Sequence, residues 1–307
     1  MFQTLLVPLD GSAFAEQALP LAMSIACRSN AEIDLVRAHD LYAFEDPACA
    51  WLPFDPVEDA EFRQHERVYL DGVAARLASE HPIRTNCAVM DGLAVDAILG
   101  RAREVAAALI VMTTHGRGPV SRAFLGSVAD GLVRRCPLPV LLVRPVEALP
   151  DLHQEPSISS VLIPLDGSPT SEQILGPVMQ LGAALGASYT FLHVVRPDKR
   201  PAPKTGADRA AGLKRSCQEH EAEESLAYLD RLAGQFREPS VEVRTCVVIA
   251  PHVASAVLEE ARAQSCGLIA LATHGRGGFK RLLLGSVADK VLRGASCPVL
   301  VYRGAEL

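Results

Sequence analysis

Apolar residues along the chain gather into short runs that alternate with longer stretches in which apolar positions recur at helical spacing. TLLVPL comes first, a helical pattern follows over Ala15 to Ser29, and IDLVRA is the next apolar run. A second helix fits Val57 to Ser79, then a strand near Asn86 to Met90, a helix over Val95 to Val105, the strand ALIVMT, a long loop, a helix from Ser127 and the strand VLLV. Runs of strand length alternating with helical periods are the signature of βαβ units and a parallel sheet. The stretches LIVM and, later, LIALA are apolar at every position, which predicts a sheet covered by helices on both faces. The fold class is therefore α/β, with five parallel strands and four helices in a doubly wound arrangement. Ligands of such sheets bind outside the carboxyl ends of the strands.

The whole pattern then occurs again. VPLDGS at 7 to 12 returns as IPLDGS at 163 to 168, and THGRG-x-x-x-R-x-x-LGSVAD at 114 to 130 returns at 273 to 289. The first pair is offset by 156 positions and the second by 159, so the second copy carries a net insertion of three residues in its middle. Its strands are VLIPL, YTFLHVV, RTCVVI, LIALAT and VLVYR. Duplication of one domain is the simplest account, with a first domain over residues 1–145, a Pro- and acid-rich linker over 146–159 and a second domain over 160–307. A chain of 307 residues is ample for two such cores. The last strands, Val140 to Val143 and Val299 to Tyr302, are apolar edges that are expected to meet across an internal pseudo-twofold.

Composition narrows the partners. Hydrophobic residues are 49% and charged residues 21% of the chain, as expected for a globular protein. A formal charge of −6 with no Lys/Arg block argues against nucleic acid as a main partner. MFQTLLVPLDGS has no basic leader and soon meets Pro, Asp and Gly, so neither a signal peptide nor a membrane span is expected there. Eight cysteines without a C-x-x-C pair fit a reduced, cytoplasmic compartment. Cys87 and Cys246 occupy matching places in apolar runs; buried strand thiols are the favoured reading, a redox pair the other.

The repeated motifs carry the chemistry. After the fourth strand of the first copy, nine residues separate Gly116 from Gly126; Ser127 follows and opens the helix SVADGLVRR. Gly275, Gly285 and Ser286 repeat the arrangement before SVADKVLR. Glycines let a backbone approach a ligand, and the free N–H groups of a helix start favour an anion, so a phosphate chain is the natural occupant. The alternative is that Ser127 and Ser286 are simple helix caps. Asp10 and Asp166 end the first strand of each copy, where a carboxylate accepts from an adenine or ribose donor or, equally, builds an Asp-Gly turn and caps the next helix. P-loop, dinucleotide and nucleophile-elbow motifs are missing. His115 and His274 read as exposed or turn-shaping loop residues, with contact to a phosphate tail as the other reading. Arg117, Arg122, Arg276, Lys280 and Arg281 lie in the same loops, and Trp51 in a Pro-rich one.

With these residues in view, nearly the whole chain resembles the universal stress protein family as two tandem copies. ATP-binding members of that family carry G-x-x-G-x9-G-[ST] after the fourth strand. Gly116, Gly126, Ser127 and Gly275, Gly285, Ser286 match its latter part, whereas Thr113 and Ala272 replace its first glycine. The resemblance implies an adenine held near Asp10 and the backbone of Ala38, or Asp166 and the backbone of Val194. It places a triphosphate on the glycine loop and helix start, with Mg²⁺, and makes Pro8, Pro164, Val128 and Val287 lining positions. It implies pairing of two domains through their last strands, here within one chain, and allows a further dimer of chains. Branched Thr113 makes the C-terminal copy the one expected to bind at least as tightly. The implied function is an ATP-binding stress-response protein whose occupancy modulates domain pairing or partner binding; a slow ATPase or autokinase and a nucleotide-free scaffold are the alternatives. No residue is identified as catalytic and no metal ligand is assigned.

Overall fold

In the computed structural model the described residues are 2–39, 55–115, 125–146, 152, 156, 158–197, 207–236, 241–273 and 284–304, with side chains of 207–217 left aside. The chain divides into two compact units, Met1–Ser157 together with Val301–Leu307, and Ile158–Leu300.

The first unit runs β1 (Thr4–Pro8), α1 (Ala13–Glu16), α2 (Leu19–Ser29), β2 (Glu32–His39), α3 (Pro56–Glu80), β3 (Thr85–Asp91), α4 (Ala94–Glu104), β4 (Leu109–Thr113), α5 (Ser127–Arg135) and β5 (Val140–Val143). Its strands lie in the order β3-β2-β1-β4-β5, and β1 pairs in parallel with both β2 and β4. The second copy runs β6 (Ser160–Pro164), α6 (Pro169–Glu172), α7 (Leu175–Leu185), β7 (Ser188–Val195), α8 (Ala207–Ala233), β8 (Val243–Ile249), α9 (Val253–Ala263), β9 (Leu268–Ala272), α10 (Ser286–Gly294) and β10 (Val299–Tyr302). Its order is β8-β7-β6-β9-β10. In each copy the chain leaves the first strand in one direction and returns to its other side at the fourth, so the topological switch lies between β1 and β4, and between β6 and β9. A crevice forms at such a point.

The apolar runs behave as their patterns predict. Leu109 to Val111 and Leu268 to Ala270 are fully buried, as strands covered on both faces must be. β3 is mostly half-buried, with Asn86 and Asp91 exposed and only Ala88 buried, as befits an edge. In the long helix α3, Leu70, Val73 and Leu77 form the buried stripe, and Leu229 and Leu232 repeat it in α8. These are neighbours at three- and four-residue spacing on one helical face.

One expected element is corrected. The single helix over Ala15 to Ser29 is two, because the turn at Gln17 and Ala18 tightens to bonds three residues back, from Gln17 N–H to the Phe14 carbonyl and from Ala18 N–H to that of Ala15. Pro20 lies in the first turn of α2, where a missing N–H costs nothing. A salt bridge absent from the sequence pattern also enters the core. Asp34 of β2 is fully buried and takes two bonds from Arg101 of α4, at 2.9 Å from Nε and 2.7 Å from Nη2.

Candidate functional site

Strand register brings the separated motifs to one edge. Pro8 pairs with Val36, so Asp10 comes level with Ala38, two positions further along each chain. Leu6 pairs with Ile110, which puts Thr114 at that same level on the other side of β1. Thr114 in turn fixes the last helix of the first copy, because its carbonyl accepts from the N–H of Gly126 at 2.8 Å. Asp10, Ala38 and the start of α5 therefore border the switch point. The second copy repeats this: Pro164 pairs with Leu192 and Leu162 with Ile269, and Thr273 accepts from Gly285 at 2.9 Å. Asp166, Val194 and the start of α10 share that edge. Pro8, Asp10, Ala38, Pro164, Asp166 and Val194 are all half-buried.

The Asp-Gly-Ser turns have a definite chemistry. Oδ1 of Asp10 accepts from the Ser12 N–H at 2.9 Å and from its hydroxyl at 2.6 Å; Asp166 and Ser168 repeat this at 3.0 and 2.6 Å. The glycine between them has φ of +85° at Gly11 and +78° at Gly167, a left-handed backbone that side-chain-bearing residues rarely adopt. The helix cap expected of the aspartate is supplied instead by the serine: Ser12 Oγ accepts from Ala15 N–H at 3.1 Å, and Ser168 Oγ from Ser171 N–H at 3.2 Å. The aspartate orients the cap.

The helix starts also differ from simple serine caps. Gly126 and Gly285 are the N-cap residues, neither with a side-chain cap bond, and Ser127 and Ser286 are the first helical residues and exposed. A Cβ built on Gly126 would stand 3.0 Å from the Thr114 carbonyl oxygen, so this glycine lets the helix start approach the strand end closely. Val128 is half-buried and Val287 exposed. Gly116, Gly275, His274, Trp51 and the five loop cations Arg117, Arg122, Arg276, Lys280 and Arg281 lie outside the described residues.

Thr113 and Ala272 end β4 and β9. The branched Thr113 is buried and its hydroxyl donates to the His115 carbonyl at 2.8 Å. His115 is half-buried rather than exposed, and its Nδ1 lies 3.0 Å from the Thr114 hydroxyl. Burial, then the Arg144 charge, lowers its pKa from the ordinary imidazole value. Its Nε2 is buried without a hydrogen-bond partner. Of the cysteines, Cys87 is half-buried and pushed up to about 11, chiefly by burial; Cys246, also half-buried and raised by burial, lies 3.9 Å from Glu260. Neither has the electropositive surroundings of a reactive thiolate.

A cluster of charges beside the first site escaped the sequence reading. His39, at the end of β2, bridges Glu66 through Nδ1 and Asp59 through Nε2, each at 2.8 Å. Arg37 joins Glu66 at 3.0 Å and stands over the Tyr69 ring, and Arg63 joins Asp59 at 2.8 Å. Tyr69 donates to Glu16 at 3.0 Å and Tyr228 to Glu172 at 2.8 Å. That last pair is duplicated, so extending the self-comparison to these four residues would have exposed it. His39 corresponds to Val195 and Asp59 to Gln218 by the same offsets, and the charge cluster is particular to the first copy.

Comparison with known proteins agrees with this architecture. The model of the universal stress protein family matches residues 1–144 and again 158–303. A universal stress protein of Mycobacterium tuberculosis is 37% identical over 199 residues, an alignment spanning 64% of this chain and 62% of that protein's length. A second from the same strain is 30% identical over 314 aligned positions, covering 97% of this chain and 94% of that one. Among solved structures, a universal stress protein from Archaeoglobus fulgidus superposes with a TM-score of 0.68 at 17% identity, covering 99% of this chain and 97% of that one.

Proposed function

The chain belongs to the universal stress protein family, and from that premise we propose that each domain binds ATP at the carboxyl edge of its sheet, occupancy modulating domain pairing or partner binding. The observation that carries this reading is the pair of helix starts at Gly126 and Gly285, both without a side-chain cap and both level with Asp10 or Asp166. The first N–H groups of a helix need partners, and phosphate oxygens are suited to them. In this reading Asp10 with the Ala38 backbone, and Asp166 with the Val194 backbone, hold adenine and ribose. Gly116, Gly126 and Ser127, and Gly275, Gly285 and Ser286, hold the phosphates, beside Thr113, Ala272, Val128, Val287, Pro8 and Pro164. Among the described residues no three His, Cys, Asp or Glu side chains gather as a metal site; Mg²⁺ accompanies the triphosphate in this reading. The apolar edges Val140–Val143 and Val299–Tyr302 support pairing of the two domains, since an uncovered edge invites a partner strand; a homodimer of chains is the further assembly proposed. No helix of the described residues is long and apolar enough to cross a membrane, and a cytoplasmic location is proposed with the reduced thiols.

Denaturing the purified protein and chromatographing what it releases tests the reading. Adenine nucleotide in the supernatant is the expected result, and a nucleotide-free release from protein purified without a stripping step counts against it. The exposed hydroxyls of Ser127 and Ser286 at the helix starts support a second reading, slow phosphoryl transfer. Single-turnover assays decide this: a catalyst forms ADP at a rate that falls in Asp10→Ala and Asp166→Ala, whereas a binding module does not.

A further inference from the structure

The first compact unit includes the end of the chain, Val301–Leu307, and that segment reaches the helix at whose start the first phosphate site is placed. Nη1 of Arg303 donates to the Arg134 carbonyl at 2.6 Å, across 169 positions of sequence. Arg134 lies in the last turn of α5. The final carbonyls of a helix have no partner within it and form the negative end of its dipole, so a guanidinium there both completes a hydrogen bond and meets opposite charge. The Leu132 carbonyl already takes the Cys136 N–H; that of Arg134 takes Arg303. The guanidinium comes from a half-buried residue, where water and salt screen such a bond less than at the surface.

With nine residues, α5 is too short to hold itself by propensity and depends on its contacts. Its start is tied to the end of β4 by the bond from Gly126 N–H to the Thr114 carbonyl. Its middle lies close against α4, since a Cβ on Gly131 would stand 2.7 Å from Cγ2 of Val95. Arg303 holds the far end. So short a helix shifts as one body, and a displacement at Arg134 is carried to the N–H groups of its first residues about 10 Å away. Direct attraction between a phosphate and the guanidinium is weak, because their separation exceeds a screening length of about 8 Å. Position, rather than field, links the two ends. Resting on the ATP-binding reading above, we propose that Arg303 is a positioning residue of the first nucleotide site. It sets where the start of α5 meets the phosphates, and by linkage nucleotide at that site tightens the hold on the end of the chain.

Calorimetric titration of Mg-ATP into nucleotide-stripped, full-length parent, Arg303→Met and Arg303→Lys tests this, with the melting temperature of each ligand-free protein alongside. In Arg303→Met, which keeps much of the alkyl packing, one of the two sites should weaken roughly five- to tenfold while the other keeps its affinity. Arg303→Lys retains the charge and a donor and should recover most of that loss. Combined with Gly285→Val, Arg303→Met should weaken the one site that remains. Hydrogen exchange gives the reciprocal readout: in Gly285→Val, Mg-ATP should slow exchange in the peptide covering Val299 to Arg303, and adding Arg303→Met should remove that protection. Parent-like affinity at both sites of Arg303→Met, even with a lowered melting temperature, makes Arg303 a structural cap only and overturns the proposal. Equal weakening of both sites, or no recovery in Arg303→Lys, overturns it as well. A parent that binds no ATP at all is a different failure, that of the reading on which the proposal rests.

Discussion

The N–H of Gly126 donates to the Thr114 carbonyl at 2.8 Å, and a Cβ on Gly126 would stand 3.0 Å from that same oxygen. Its φ of −60° is open to any residue, so the requirement for glycine here is close approach rather than backbone conformation. Gly126→Ala should fold but lose roughly 1–3 kcal/mol, as overpacking against unyielding backbone does. Urea denaturation checks this; a parent-like midpoint would show that the helix start moves freely.

In the second domain the Gly285 N–H donates in the same way to the Thr273 carbonyl, at 2.9 Å. Gly285→Val should abolish ATP binding there, because its side chain would enter the space that a phosphate needs at the helix start. Ser286→Ala removes one donor among several and should cost roughly 0.5–1.5 kcal/mol, tenfold in affinity at most. Isothermal titration of both variants, with circular dichroism as the folding control, reads the order directly.

Asp34 is fully buried while the Arg101 side chain is 21% exposed, and this asymmetry sets which partner matters more. Removing Arg101 strands a carboxylate without a counter-charge, so Arg101→Met should destabilise by about 3–5 kcal/mol. Asp34→Ala should cost less, because the guanidinium can turn to water. The double variant Asp34→Leu with Arg101→Met should recover most of the loss. A double-mutant cycle in urea measures the coupling, and additive losses would contradict the pairing.

Hydrogen bonds from Arg63, and then from His39, lower the Asp59 carboxyl pKa below its ordinary 3.8. A depressed carboxylate contributes stability that is fully present above the unfolded value and is lost as pH falls through the folded one. Acid should therefore loosen α3 from β2 only below about pH 4. Asp59→Asn should flatten this part of the stability profile. Denaturation midpoints followed from pH 7 to 3 provide the comparison.

What the sequence revealed and what it hid have separate physical causes. Strands and helices were legible because burial is periodic: Leu109 to Thr113 reads as a covered strand, and Leu70, Val73 and Leu77 as one helical face. The placing of Asp10 beside Ala38 follows from parallel register once the strands are known. Side-chain networks leave no period. His39 meets Asp59 and Glu66 from 20 and 27 positions away, and nothing in spacing announces it. Caps fell between these cases: Ser12 rather than Asp10 closes the helix, and Gly126 rather than Ser127 begins it, because several adjacent residues suit either role.

Calorimetric titration of Mg-ATP into nucleotide-stripped, full-length protein tests the central claim most directly. Two ATP molecules per chain are predicted, the C-terminal site binding at least as tightly as the N-terminal one, with one site remaining in Gly285→Val. Absence of ATP binding by the folded parent, or an unchanged two sites in folded Gly285→Val, would contradict the account.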